Sequence, residues 1–219
     1  MVYSRTHTGK NEMDQTLDAV RGSADMWLDA AYEGLVEGGV DAVRILPLAK
    51  KLNLSRTSFY WFFKDREELL AALLGRWKQK NTGHWIERTE AYADSVCEAM
   101  LNVFDCWFDD SLFDSRFEAA MRSWSQQSQE IAEQMAQDDA QRIAALTALF
   151  VRFDYEPRAA DVRARVAYYT QAGYVSMKLH EDMAVRMSRI PEYVEVFTGV
   201  RPQQHELQRF YSRRNFEFE

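Results

Sequence analysis

The chain has 219 residues, 27 basic and 34 acidic side chains and a formal net charge of −7, with 47% hydrophobic and 28% charged residues. These proportions exclude a disordered or fibrous chain, and the acidic balance excludes a protein that coats nucleic acid or anionic membrane with its whole surface. Nine glycines and four prolines leave long stretches without helix breakers and point to an all-α fold.

Residues 1–23 are polar, lack the apolar stretch of a secretory signal and read as a flexible arm. Its Arg5, Lys10 and Arg21 either enter a DNA minor groove, as basic arms do, or stay disordered. From Ala24, the positions Trp27, Ala30, Ala31 and Leu35 recur at helical spacing until Gly38-Gly39 ends the helix. A short helix follows over Ile45 to Leu52, with Ile45, Leu48, Ala49 and Leu52 on one face and Pro47 tolerated in its first turn. Asn53 sits where a left-handed turn residue belongs, and Ser55 is placed to cap a second short helix, Arg56 to Phe62. Asp65 caps a longer helix that buries Leu69, Leu70, Leu73, Leu74 and Trp77. Two short helices joined by a tight turn behind a longer one predict a helix-turn-helix.

Further along, Val96, Met100, Val103, Phe104, Trp107 and Phe108 make one apolar stripe. Phe117, Met121 and Trp124 start a second, and Ile143, Leu146, Leu149, Phe150 and Phe153 make a third. Asp154-Tyr155-Glu156-Pro157 breaks the chain. A long helix is expected from Pro157 to Met187, before Pro191 and a tail with Tyr193, Val196, Phe197, Leu207 and Phe210. Cys97 and Cys106 fall on opposite faces of one helix, about 13 Å apart along its axis, which forbids a disulfide. The uncharged run Ile143 to Val151 is too short to cross a bilayer, so a soluble cytoplasmic protein with no membrane partner is expected.

Charge is unevenly spread. Residues 1–64 hold eight basic and eight acidic side chains, so residues 65–219 carry the whole excess, 19 against 26. From Arg44 to Lys64 there are five cations (Arg44, Lys50, Lys51, Arg56 and Lys64) and no anion. On the second short helix, Phe59, Phe62 and Phe63 share an inward face, leaving Arg56, Thr57, Ser58, Tyr60 and Trp61 outside. Small hydroxyls let a helix approach base edges, while Arg and Tyr reach phosphate oxygens and the helix N-terminus adds free N–H groups.

The stretch Trp27 to Leu70, WLDAAYEGLVEGGVDAVRILPLAKKLNLSRTSFYWFFKDREELL, resembles the N-terminal DNA-binding domain of the tetracycline-repressor (TetR) family of transcriptional regulators. The likeness rests on the Ala30-Ala31 pair, Glu37-x-Gly39, Ile45-x-x-Leu48-Ala49, Leu54-Ser55, Phe59-Tyr60-x-x-Phe63 and Glu67-Glu68-Leu69-Leu70. It implies an all-α chain with a three-helix DNA-binding domain over 24–66 and a ligand-binding and dimerisation bundle over 67–219. It also implies DNA contacts by Arg44, Ser55, Arg56, Thr57, Ser58, Tyr60, Trp61 and Lys64. Pro47, Thr57, Ser58 and Trp61 depart from the family's usual residues and bear on which operator is read. Trp61 either touches DNA or pads the domain interface, and Lys50 and Lys51 either touch DNA or are simply solvated.

The resemblance implies a homodimer on double-stranded operator DNA, since two recognition helices must meet major grooves about 34–36 Å apart. The helices Asp139 to Asp154 and Pro157 to Met187 are the expected dimer surface, with Ala160, Ala164, Ala167, Ala172 and Gly173 allowing close approach. It further implies an effector pocket for a small molecule, with Phe104, Trp107, Phe108, Met121, Trp124, Tyr168 and Tyr169 as candidate lining. The alternatives are a helical-bundle enzyme or a protein-interaction module. The sequence lacks a Glu-x-x-His pair, a His-Glu-x-x-His helix, a glycine-rich phosphate loop and a Gly-x-Ser-x-Gly elbow, and His7, His84, His180 and His205 are scattered. No enzyme activity, cofactor or metal is expected.

Overall fold

The structure is a computed structural model that describes residues 22–179, 181–214 and 216. Arg5, Lys10 and Arg21 of the arm, with His7 and His180, lie outside the described residues. Among the described residues the regular elements are all helical. They form two compact units, one up to Arg76 and one from Trp77.

The first unit is built on α1 (Ala24–Gly38), whose Ser23 cap accepts from the Met26 N–H at 3.2 Å. Trp27, Ala30, Ala31 and Leu35 are buried, as their spacing predicts. Gly39 at φ 72° closes the helix by donating to Leu35 O at 3.0 Å. A side chain on Gly38 would stand 2.7 Å from Ala42 Cβ, so its absence lets the following 3₁₀ turn (Val40–Ala42) fold back on α1. α2 (Ile45–Lys51) comes next, then Asn53 at φ 54°. Leu54 N–H reaches Ala49 O at 2.9 Å and closes the turn.

α3 (Arg56–Phe59) is a single turn, shorter than the expected Arg56 to Phe62. Beyond it the chain winds more tightly, with Tyr60 N–H donating to Thr57 O at 3.2 Å and Trp61 N–H to Ser58 O at 3.3 Å. Phe59 and Phe63 are both carried into the core by this winding, while Phe62 stays half-buried. α4 (Arg66–Trp77) starts where Asp65 Oδ1 accepts from the Glu68 N–H at 2.9 Å, and Leu69, Leu70 and Leu73 are buried. This first unit therefore runs past the expected boundary at residue 66.

The second unit opens with Trp77 and a π-turn, Lys78–Gly83, then α5 (His84–Glu90), neither of which the sequence pattern announces. α6 (Val96–Phe108) and α7 (Ser115–Ser125) follow the predicted stripes. α8 (Gln129–Arg152) begins well before the expected Asp139, at a Ser128 cap. α9 (Pro157–Ser176) stops short of the expected Met187: Lys178 turns left-handed at φ 50°, and Asp182 caps the separate α10 (Met183–Ser188). α11 (Ile190–Thr198) and α12 (Gln204–Ser212) complete the unit.

α8 and α9 pack along each other more extensively than any other pair. That packing swallows Ala160, Ala164 and Ala167, which are fully buried within this unit. They are therefore not the outward surface that their spacing suggests. Small side chains bring these two helices of one chain together.

At the centre lies Glu118, 1% exposed. Its Oε2 accepts from Trp77 Nε1 at 2.8 Å and Asn81 Nδ2 at 3.0 Å, and its Oε1 from Arg122 at 2.7 Å and Arg142 at 3.0 Å. Burial pushes this carboxyl up, but Arg142 and Arg122 outweigh it and hold Glu118 below the usual carboxylate range. Cys97 and Cys106 are free and buried, and burial pushes their thiols up to about 11 and about 12.

Candidate nucleic-acid interface

In the first unit, the aromatic core fixes the face that remains outside. Phe59 meets Trp27 edge-on at 5.2 Å and lies 5.5 Å from Phe63, so the inward face of α3 is anchored to α1. Residues on the other face are then presented by default. Ser55, Arg56, Thr57, Tyr60, Trp61 and Lys64 are all exposed, with Tyr60 at 47% and Trp61 at 63%. Arg44, the extended residue ahead of α2, is exposed too and makes no side-chain cap.

Tyr60 is held at both ends. Its ring stands edge-on to Phe59 at 5.4 Å, and its hydroxyl accepts from Arg56 Nη2 at 3.2 Å. The Arg56 guanidinium lies 6.0 Å from the Tyr60 ring centre, so the pair is preorganised at little entropic cost. Ser55 caps α3 through its Oγ, which accepts from the Ser58 N–H at 3.1 Å.

Ser58 departs from the expected outward position. It is 4% exposed and its hydroxyl donates to Ser55 O at 2.7 Å, so it faces inward and fastens the start of α3. A hydroxyl three residues past a cap satisfies the local backbone as readily as a distant partner. Lys51 is also diverted: its Nζ lies 2.7 Å from Glu33 and 3.9 Å from Glu37 on α1. The hydrogen bond with Glu33 raises the Lys51 pKa, so this cation is partly spoken for.

Two residues escape any reading of the sequence pattern. Arg66, at the start of α4, donates through Nε to Val43 O at 2.6 Å and through Nη2 to Val40 O at 2.7 Å. It thereby locks the chain that enters α2 directly ahead of Arg44. Its partners lie more than twenty residues away, and no local pattern marks them. Leu46 is 55% exposed beside Arg44, an apolar residue that helical spacing assigns to no core.

Residues 28–73 match the family model for bacterial regulatory proteins of the tetR family. That match lies wholly within the first unit. Among solved structures it is similar to a transcriptional regulator from Rhodococcus sp. Rha1, at 17% identity and a TM-score of 0.58 over 87% of this chain and 97% of that one. It is also similar to a candidate TetR-family regulator from Mesorhizobium loti MAFF303099, at 13% identity and a TM-score of 0.55 over 86% and 95% of the two chains. No curated protein matches. The matched residues contain the helix-turn-helix, and the exposed set around α3 is its candidate interface with DNA.

The expected effector residues separate in the second unit. Trp107 and Phe108 line one small cavity. Phe104 and Met121 are closed core, Trp124 is buried, and Tyr168 is buried with its hydroxyl donating to Asp139 Oδ1 at 2.5 Å. Tyr169 is 56% exposed on the outer face of α9. Helical spacing marks all of these as apolar-face residues but does not distinguish a filled core from a cavity wall. Among the described residues, no group of three His, Cys, Asp or Glu side chains is placed to hold a metal ion, and His84 Nδ1 is engaged with Leu112 O at 2.9 Å. No described helix is long and apolar enough to cross a membrane.

Proposed function

We propose that this regulator is a cytoplasmic repressor, not an enzyme, that binds a palindromic operator as a homodimer and is released by a small-molecule effector. Arg44, Arg56, Tyr60 and Lys64 hold the phosphates, while Ser55, Thr57 and Trp61 face the base edges. Ser58 serves by fixing the start of α3. The observation that carries this reading is the preorganised, exposed Arg56–Tyr60 pair within a stretch that holds five cations and no anion.

A second surface supports the homodimer. Val162, Val166 and Tyr169 project from α9, with Val151 at the end of α8, all exposed and largely apolar. Shallow grooves flank this ridge, one lined by Ala136, Ala140, Ala144 and Ala148 of α8 and the other by Val196 of α11. A ridge beside grooves is self-complementary under a two-fold axis, which suits a four-helix contact between two copies.

Fluorescence anisotropy with the regulator's own promoter fragment tests the DNA claim. Arg56→Ala with Tyr60→Ala is expected to abolish specific binding while the unfolding temperature stays put. Retained binding refutes the interface. Sedimentation of the isolated protein tests the dimer, and a monomer at micromolar concentration refutes it.

A further inference from the structure

Among the described residues, the second unit contains a half-buried cation with no carboxylate in ion-pair contact. Arg186 of α10 is half-buried, its guanidinium stacked between Phe108 at 4.6 Å and Tyr174 at 4.8 Å. The one hydrogen bond it makes among the described residues goes to Trp107 O at 3.3 Å, although a guanidinium carries five donors. No described carboxylate oxygen lies within 4.0 Å of it.

Arg152 and Arg163, each over one ring, are met by backbone carbonyls, but the two other guanidiniums that lie over two rings each have a carboxylate. Arg142, over Trp77 and Phe113, has the carboxylate of Glu118. Arg214, over Phe210 and Phe108, has Asp105. Glu181 stands near Arg186 but is held by Arg189 at 2.6 Å. Burial therefore lowers the Arg186 pKa with little to offset it.

Arg186 faces a cavity lined by Trp107, Phe108, Tyr174, Ile190 and Tyr193, with Thr170, Gln171 and the Glu181–Arg189 pair on its polar side. Trp107 Nε1 is buried with no hydrogen-bond partner, a second orphaned donor at the same place. A buried cation and an orphaned N–H call for an acceptor with negative charge, and flat aromatic walls call for a flat apolar body. The cavity holds about 30 Å³, room for one or two waters, so the occupant is small and enters by parting the half-buried side chains around it.

We propose that this cavity is a site for a small aromatic carboxylic acid, with the carboxylate on Arg186 and the Trp107 N–H and the ring against Ile190 and Tyr193. This deepens the effector reading and rests on it only for the consequence at DNA. A carboxylate on Arg186 and the indole N–H supplies the acceptors both lack, and the ring replaces water against apolar walls.

Calorimetric titration of the full chain with benzoate and phenylacetate, against the isosteric benzamide and phenylacetamide, tests the site. The acids are expected to bind at least about tenfold more tightly than the amides, a difference of about 1.4 kcal/mol. Arg186→Met should remove that preference. If Arg186→Met fails to fold, Trp107→Phe, which removes only the N–H, should weaken the acids severalfold and leave the amides unchanged. Amides that bind as well as acids, no heat from either acid at about 10 mM, or variants that bind the acids as the parent does would each overturn the site. An acid that binds without releasing operator DNA leaves the site standing and refutes the effector reading. Release of DNA by another compound, with neither acid bound, refutes the site alone.

Discussion

Replacing Glu118 with glutamine tests whether the buried network holds the second unit together. The carboxylate is 1% exposed and accepts from four donors, two of them guanidiniums. Glutamine keeps the shape, but it removes the charge and turns one acceptor into a donor facing other donors. Arg142, fully buried, then keeps its charge without its nearest counter-ion. Breaking one partner of a buried pair costs about 3–5 kcal/mol. At about 2–4 °C per kcal/mol for a chain of this size, unfolding should fall by about 6–20 °C at neutral pH. The pH dependence has a definite sign. The folded carboxyl is held below its ordinary value, so its stabilisation is complete above pH 4.5 and is lost as pH falls through the folded value. The Glu118→Gln variant has no carboxyl to titrate there, so the gap between variant and parent should narrow below about pH 4.5. Thermal unfolding followed by circular dichroism from about pH 7 down to about 3.5 measures both. A loss under about 1 kcal/mol, or a gap that stays constant with pH, refutes the reasoning.

Asn53→Val should cost about 1–2 kcal/mol, because a β-branched residue resists the left-handed φ of 54°, whereas Asn53→Gly should be near neutral; chemical denaturation compares the two. Arg66→Met strands the Val43 carbonyl, leaves Val40 O with only the Val43 N–H, and should cost about 1–3 kcal/mol. The same change should weaken operator binding severalfold by loosening the entry to α2, as anisotropy would register. Arg44→Ala should lower the slope of log affinity against log salt by about 0.9 for each protomer's lost phosphate contact, and an unchanged slope would remove Arg44 from the interface.

The helix-turn-helix was legible because its signals are local. Ser55, Asn53 and Asp65 each act on backbone within four or five residues, so type and spacing state the geometry. What stayed hidden depends on partners distant in the chain or on a choice between equal local options. Arg66 finds its carbonyls across two elements, Ser58 turns inward to a local acceptor, and α9 ends at Lys178 with no glycine or proline to announce it. The alanines of α9 and the aromatic stripes carry a deeper ambiguity. Periodicity shows that a face is covered, not whether a neighbour in the same chain, a second copy or a ligand covers it. Ala160 and Phe104 proved to be covered from within, while Trp107 and Phe108 border open space.

The same distinction accounts for the net charge. On α1, Glu33 and Glu37 engage Lys51, and Asp29 holds Arg76, so acids in the first unit sit beside cations other than those of α3. In the second unit Glu118, Asp105 and Asp138 are buried, and each meets Arg or Lys within 4 Å. A buried carboxylate is tolerable only with such a partner, and most of these partners reach in from the partly exposed surface. The stretch from Arg44 to Lys64 holds five cations and no anion, so the rest of the chain holds 22 basic against 34 acidic side chains. Averaged over the chain the charge argues against nucleic acid; read along the chain, it leaves the helix-turn-helix stretch purely cationic.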